Sequence, residues 1–294
     1  MTHVATLIAP DGALDNSVLE SARAALGQTD APIWLAAGAA VDIPFRAGTE
    51  TRAIADELRA GLGSVDVVVQ AAQNRRKRLF LADMDSTMIG QECIDELADF
   101  AGLKPRIAAI TERAMRGEIQ FEPALRERVS LLKGLPAALI DEIIAQRIRL
   151  TSGARTLVAT MRNNGAHTCL VTGGFTLFAQ KIGAMIGFNE IRANRLRLDP
   201  DGHLSGLVEE PVFGRDAKLA TLVELRERLG LGRDDTMATG DGANDLDMIA
   251  EAGLGVAFHA KPKLADAAAA RIDHTDLTAL LYMQGYKRDE FADA

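Results

Sequence analysis

The sequence predicts an α/β protein in which a parallel sheet, covered by helices on both faces, carries an inserted helical cap and follows a small α+β unit. Three observations predict it. From Leu79 onward, short apolar runs are each followed by a loop rich in Gly or Asp and then by a helix-period pattern, the alternation that builds parallel sheets. Before Leu79 the patterns run strand, helix, two strands, helix, strand. Between the first and second strands of the later region lies a mostly helical stretch, about 91–150, longer than a simple crossover needs.

Taken in order, His3 to Ile8 reads as a strand, Pro10-Asp11-Gly12 as a turn, and Leu14, Val18, Ala22 and Ala25 as one helix face. Pro32 to Ala40 and Ile43 to Phe45 read as a strand pair, Ile54, Leu58 and Leu62 as a second helix face, and Val65, Val67 and Val69 as a last strand. This order is the split βαβ pattern of a ferredoxin-like unit over 1–75. With its Asp11-Gly12 turn it resembles the ACT domains that sense amino acids. Arg75, Arg76, Lys77 and Arg78 then form a short basic run without interleaved aromatics, read as a solvated linker rather than a nucleic-acid site.

The second unit spans 76–294. Its clearest strands are Leu79 to Ala82, Thr168 to Val171, Thr236 to Ala238 and Gly255 to Phe258. In the cap, Ile94, Leu97, Ala98 and Ala101 make one amphipathic helix ending near Gly102; Leu125, Val129 and Leu132 mark a later one before Gly134. Parallel sheets bind ligands beyond the carboxyl ends of their strands, so functional residues are expected there.

Composition narrows the function. At 294 residues, 48% hydrophobic and 25% charged, the chain fits a folded enzyme of two or three compact units. A net charge of -8 opposes general binding to nucleic acid or an anionic membrane, so an anionic substrate needs a local positive site. No apolar run is long enough to span a bilayer or to serve as a signal peptide, and a cytoplasmic protein is expected. Cys93 and Cys169 are too few for a disulfide framework or a structural zinc site and are read as reduced, partly buried thiols.

The chemistry lies at the strand ends. Asp83-Met84-Asp85-Ser86-Thr87 follows the first strand; two carboxylates this close raise a pKa or call for a cation. Alone, such a turn is equally a helix cap or an Asx-turn. Its partners come later: Thr172-Gly173-Gly174, read as opening a helix with Phe178, Ile182 and Met185 on one face; Lys218 near a helix start; and Gly240-Asp241-Gly242-Ala243-Asn244-Asp245. A hydroxyl, backbone amides and a lysine suit a phosphoryl group, and clustered acids suit a hard cation.

These four motifs, in this order over about 79–285, resemble the haloacid dehalogenase superfamily of phosphohydrolases, and among them the phosphoserine phosphatases. The resemblance implies a Rossmann-like core and Mg2+ held by the Asp83 carboxylate, the Asp85 main-chain carbonyl and the Asp241 carboxylate, with Asp245 in support. It makes Asp83 the nucleophile and Asp85 the general acid and then base. Thr172, Gly173, Lys218 and Asn244 would hold phosphate, with threonine where the family usually has serine. The segment Ala114-Met115-Arg116-Gly117-Glu118-Ile119-Gln120-Phe121 and Arg126-Glu127-Arg128-Val129 resembles that family's cap. It assigns Glu92 to the substrate ammonium, Arg128 to the carboxylate, and Met115 and Phe121 to an apolar lid. Without it, Glu92 is a first-turn helix acid, Arg128 a solvated helix residue, and Met115 and Phe121 plain core.

Phosphoserine hydrolysis is therefore the expected activity. A phosphotransferase that passes the group to another alcohol and an amino-acid sensor with a decayed catalytic half are the competing readings. A homodimer through the edge strand or helices of the first unit is also expected.

Overall fold

The computed structural model describes residues 2–46, 48, 51–116 and 118–293, with the backbone alone for Met115. The first unit runs β1 (Thr2–Ile8), α1 (Asn16–Leu26), β2 (Ile33–Ala36), β3 (Ala40–Arg46), α2 (Thr51–Leu62) and β4 (Asp66–Ala71). Its strands pair antiparallel in the order β2-β3-β1-β4, which is the split βαβ topology expected of it. Helix α1 starts where the Asp15 carboxylate accepts the Val18 N–H at 2.9 Å. Two details differ from the helix face expected: Leu14 is buried but precedes α1, and Ala25 is exposed.

This sheet is covered on both sides. Leu7, Ile43, Val67 and Val69 face Leu19, Ala22, Ala55 and Leu58 of the helices, whereas Ile8, Ala40 and Val68 join the core of the second unit. The short period of apolar residues in β4 therefore has no solvated face, as strands between two layers require.

The second unit begins with β5 (Leu79–Ala82) and the cap helices α3 (Cys93–Phe100), α4 (Lys104–Met115), α5 (Phe121–Leu131) and α6 (Leu139–Arg147). It continues through α7 (Ala154–Asn163), β6 (His167–Phe175), α8 (Thr176–Ile186), β7 (Glu190–Asn194), β8 (Leu196–Leu198), β9 (Leu204–Val208) and α9 (Arg215–Arg228). It closes with β10 (Thr236–Gly240), α10 (Leu246–Glu251), β11 (Leu254–Phe258), α11 (Pro262–Ala265), β12 (Ala270–Ile272) and α12 (Ala279–Tyr282).

Six strands pair in parallel in the order β12-β11-β10-β5-β6-β7. The chain order reverses between β5 and β10, and loops that diverge at such a switch point leave a crevice above it. Along β5, Leu79 and Leu81 pack with Leu222, Leu225 and Met248, whereas Phe80 and Ala82 pack with Leu157 and Phe178. Two-sided burial is what makes β5 a continuous apolar run.

Three features depart from the expectations. The linker basic run is solvated only in part. The Arg75 guanidinium grips Asp42 of β3 at 2.6 and 3.0 Å, and donates to the Tyr282 and Met283 carbonyls. Lys77 is 8% exposed and bonds the Asn74 and Asp234 carbonyls, while Arg76 lies 4.1 Å over the Tyr286 ring. Arg76 and Arg78 are both exposed, and the Arg78 N–H donates to the Asp235 carbonyl. The run ties the units together because acids and carbonyls far away in sequence surround it. Second, Met185 is 41% exposed; Ala179, Gly183 and Ile186 complete the buried face of α8 with Phe178 and Ile182. Third, residues 190–208 hold β7 and the hairpin β8–β9, for which no element was expected. The hairpin extends the cap base, with the Gly134 N–H on the Leu204 carbonyl and the Leu204 N–H on the Leu135 carbonyl, both 2.8 Å.

Candidate active site

The Asp83 N–H donates to the Thr239 carbonyl at 3.0 Å, which fixes the end of β5 to β10 at the switch point. The chain then makes a tight turn over Met84–Met88 in which Ser86 takes a φ of 56°. Met84, Met88 and Ile89 anchor the turn in the core, each 0% exposed. Asp83 is buried, and both donors that reach it go to one oxygen: Oδ1 accepts the Met84 N–H at 2.8 Å and lies 2.7 Å from Lys218 Nζ.

Lys218 sits in the first turn of α9 and is 1% exposed; its ammonium bridges Asp83 and Asp245, each at 2.7 Å. Burial pushes this lysine down, and the two carboxylates more than offset it, so it stays charged with its pKa above the ordinary value. One ammonium cannot balance two buried acids, and Asp245 is accordingly pushed up, first by burial and then by Asp83. Asp241, from the loop after β10, is raised for the same two reasons and meets Lys261 Nζ at 3.3 Å.

Oxygens of Asp83, Asp241 and Asp245 all lie within 4.8 Å of one another. With Asp85, four carboxylates face the ammoniums of Lys218 and Lys261, a formal deficit of two positive charges. A hard divalent cation fits both the oxygen donors and the deficit. Asp245 lies nearer this cluster than a supporting place required, because its carboxylate turns back to the Gly242 N–H and to Lys218.

Asp85 is half-buried and stands beside the group of three. Its Oδ1 accepts the Cys93 N–H at 2.9 Å, and Thr172 Oγ1 lies 3.3 Å from its Oδ2. Burial, then the charge of Asp83, pushes it to about 6. Thr172 is 1% exposed, and its hydroxyl oxygen accepts the Gly174 N–H at 2.8 Å. Strand β6 runs on to Phe175, so the two glycines extend the strand and do not open the helix as expected; α8 starts after them.

The cap closes over this loop. The Phe121 ring packs close over Gly173 and Gly214, where a Cβ would meet it at 3.3 Å and the ring would have to give by a few tenths of an ångström. Phe121 is itself 40% exposed and is therefore not plain core. Glu92 precedes α3 and accepts the Ser86 hydroxyl at 2.8 Å; burial of its carboxyl, then Asp85, raises its pKa. Arg128 on α5 reaches the Ala124 carbonyl at 3.3 Å and pairs with no carboxylate among the described residues. Desolvation lowers its pKa, with Asp95 and Glu92 opposing. Asn244 is exposed, its carboxamide oxygen folded back over Gly242. The side chain of Met115 lies outside the described residues.

Two residues were missed. Buried Asn194 bonds the Gly173 and Phe213 carbonyls at 2.8 and 2.9 Å and accepts the Phe213 N–H at 2.7 Å, clamping the Thr172 loop to the segment before α9. Lys261 follows β11, and the rule that functional residues follow strand ends was enough to find it.

A family model described as haloacid dehalogenase-like hydrolase matches residues 80–250. A phosphoserine phosphatase from Polaromonas is 44% identical over 209 residues, covering 69% of this chain and 88% of the relative. A phosphoserine phosphatase solved with substrate bound is 41% identical, with TM-score 0.65, over 70% of this chain and 97% of that one. A haloacid dehalogenase-family hydrolase from Salmonella enterica serovar Typhi superposes with TM-score 0.86 at 26% identity, over 96% of this chain and 98% of that one. The chain spans 56% and 58% of the matched phosphoserine phosphatases from Mycobacterium tuberculosis and Streptomyces coelicolor.

Proposed function

This chain belongs to the haloacid dehalogenase-like hydrolases and, among them, to the phosphoserine phosphatases, and from that premise we propose that it hydrolyses O-phospho-L-serine to serine and phosphate through a phosphoaspartate on Asp83. The observation that carries the mechanism is Lys218: a buried ammonium 2.7 Å from both Asp83 and Asp245, at the switch point and beneath the cap.

With Asp83 Oδ1 committed to Lys218 and the Met84 N–H, Oδ2 is the oxygen that attacks phosphorus, and the phosphorus–serine oxygen bond breaks. Asp85, with its pKa near neutrality, gives its proton to the leaving oxygen. It then takes a proton from the water that attacks the phosphoaspartate, which releases phosphate and restores Asp83. Splitting one displacement into two makes each easier. Lys218 balances charge on the phosphoryl oxygens, and the Thr172 hydroxyl turns from Asp85 to hold one of them. A divalent cation, Mg2+ in this proposal, held by Asp83, the Asp85 main-chain carbonyl and Asp241 with Asp245 beside them, would neutralise the remaining charge.

The cap supplies specificity. Arg128 takes the serine carboxylate, a match of planar groups, and Glu92 takes the ammonium. Phe121, with Met115, excludes water, while Gly173 and Asn244 line the phosphate end. Two further proposals rest on the first unit. Its topology supports an ACT-like role, and exposed Ile33 and Trp34 on edge strand β2 support a homodimer, tested by sedimentation of the intact chain. The buried free thiols Cys93 and Cys169 suit a cytoplasmic enzyme; among the described residues no helix is long and apolar enough to cross a membrane.

The test is phosphate release from a panel of phosphorylated small molecules, with and without an acceptor alcohol. We expect phosphoserine to be preferred, phosphate and not a new ester to be the product, and Asp83→Asn to lose turnover by roughly 10^3-fold or more. Near-normal turnover by that variant would refute the mechanism.

A further inference from the structure

Strand β7 lies at the edge of the six-stranded sheet, and Glu190 to Ala193 are each only half-buried there. Asn194, the last residue of the strand, is the exception at 2% exposed. A buried carboxamide is costly unless its polar atoms are used. Here they are: Nδ2 donates to the Gly173 and Phe213 carbonyls at 2.8 and 2.9 Å, and Oδ1 accepts the Phe213 N–H at 2.7 Å. Two acceptors and one donor around it fix the orientation of the amide. An aspartate would turn a carboxylate oxygen toward two carbonyls, and a leucine would leave all three backbone groups unpaired.

Asn194 holds an irregular stretch of β6. Between the pairs Val171–Arg192 and Phe175–Asn194, β6 carries Thr172, Gly173 and Gly174 where β7 carries only Ala193. The surplus residues push the strand out of its ladder, and such a bulge re-aims the side chains it carries. In this one the Thr172 hydroxyl comes 3.3 Å from Asp85 Oδ2, and the Gly174 N–H returns to Thr172 Oγ1. The other side of the clamp is Phe213. It precedes Gly214, whose carbonyl accepts the Lys218 N–H at 3.1 Å where α9 begins. Lys218 is itself held in place by Asp83 and Asp245. Among the described residues, no hydrogen bond other than those of Asn194 ties the Thr172 loop to the segment before α9.

We propose that Asn194 is a positioning residue for phosphoryl transfer: by pinning the β6 bulge to the start of α9, it sets the separation between Thr172 and Lys218. The inference rests on the reading of this site as one that holds a phosphoryl group between those two residues. Released from the clamp, the bulge shifts relative to Lys218, and a displacement of about 1 Å in such a site can cost about 100-fold in rate. The acids that suit a cation, Asp83, Asp241 and Asp245, stand on other loops and do not depend on the clamp.

The experiment compares the intact chain with Asn194→Ala, and takes Arg75→Ala as a control that destabilises the protein away from the site. Calorimetry with Mg2+ alone, and then with inorganic phosphate at saturating Mg2+, reads the two halves of the site without any ester. We expect Asn194→Ala to bind phosphate at least about tenfold more weakly, to keep its Mg2+ affinity within about threefold, and to lose about 100-fold in kcat/KM for phosphoserine. Arg75→Ala should match the wild type in all three. Should Asn194→Ala fold poorly, Asn194→Ser, which keeps one donor, is expected to show the same split at smaller size. A wild type inert to phosphoserine that still shows the phosphate split would sink the substrate reading alone and support the clamp. Phosphate affinity near wild type in a folded variant, or a wild type that binds no phosphate, would overturn the proposal. So would an equal loss of Mg2+ and phosphate affinity, which would make Asn194 a purely structural residue.

Discussion

Asp42 and Asp66 of the first unit are as buried as Asp83 and Asp241 of the second, 4% and 2% exposed against 4% and 6%, yet their surroundings differ in kind. Asp42 meets the Arg75 guanidinium and the Thr6 hydroxyl. Asp66 accepts the N–H groups of Asp273 and Thr275 at 2.7 and 2.9 Å and the Thr275 hydroxyl at 2.6 Å. Asp42 is matched by a cation and Asp66 by hydrogen-bond donors, and both serve architecture. Around Lys218 the carboxylates outnumber the cations, and three have pKa values raised by burial and then by the charge of Asp83. Matched burial joins the two units, whereas unmatched burial marks the place where a phosphoryl group and a cation are needed.

The sharpest break in this comparison is expected from Asp85→Asn, which keeps shape but removes the proton. Turnover of phosphoserine should fall by about 10^2–10^4-fold with little change in melting temperature. The mirror experiment is Arg75→Ala, which leaves Asp42 buried without its partner. Denaturant unfolding should show a loss of about 3 kcal/mol while kcat per folded molecule stays near wild type. If Arg75→Ala abolished turnover at full folding, the division between architectural and functional charge would fail.

How much of this was legible in the sequence follows the same line. The residues of the unmatched cluster stand in short loops after apolar strands, so Asp83, Asp85, Asp241 and Lys218 could be read locally. The matched pairs could not. Arg75 finds Asp42 across 33 residues and Lys77 finds the Asp234 carbonyl across 157, so the basic run looked like a solvated linker. Strand β7 and the β8–β9 hairpin escaped because they are short and their apolar residues are partly exposed, as Leu198 and Leu207 are at 45% and 55%. Asn194 was lost with them, since a clamp between two loops has no pattern of its own.

A smaller effect is expected in the cap. Arg128→Ala should raise KM for phosphoserine about 10–100-fold, the worth of one charge-assisted hydrogen bond, with a smaller change in kcat. An equal rise for a phosphate ester lacking the carboxylate would argue against that role. The smallest effect concerns pH. Asp85, at about 6 when folded against 3.8 unfolded, takes up a proton on folding between those values. Its contribution is therefore fully present below pH 3.8 and lost as pH rises through about 6. A divalent cation relieves the same repulsion, so its addition should raise Tm by a few degrees at pH 7.5 and by less at pH 5.5. An increment independent of pH would mean that the cation binds away from the acid cluster.

The most direct test of the account is rapid acid quenching of a single turnover with phosphoserine labelled on phosphorus. The label should appear transiently on the peptide that contains Asp83, be released by hydroxylamine, and be absent in Asp83→Asn. Hydrolysis at the normal rate with no label on that peptide would contradict it.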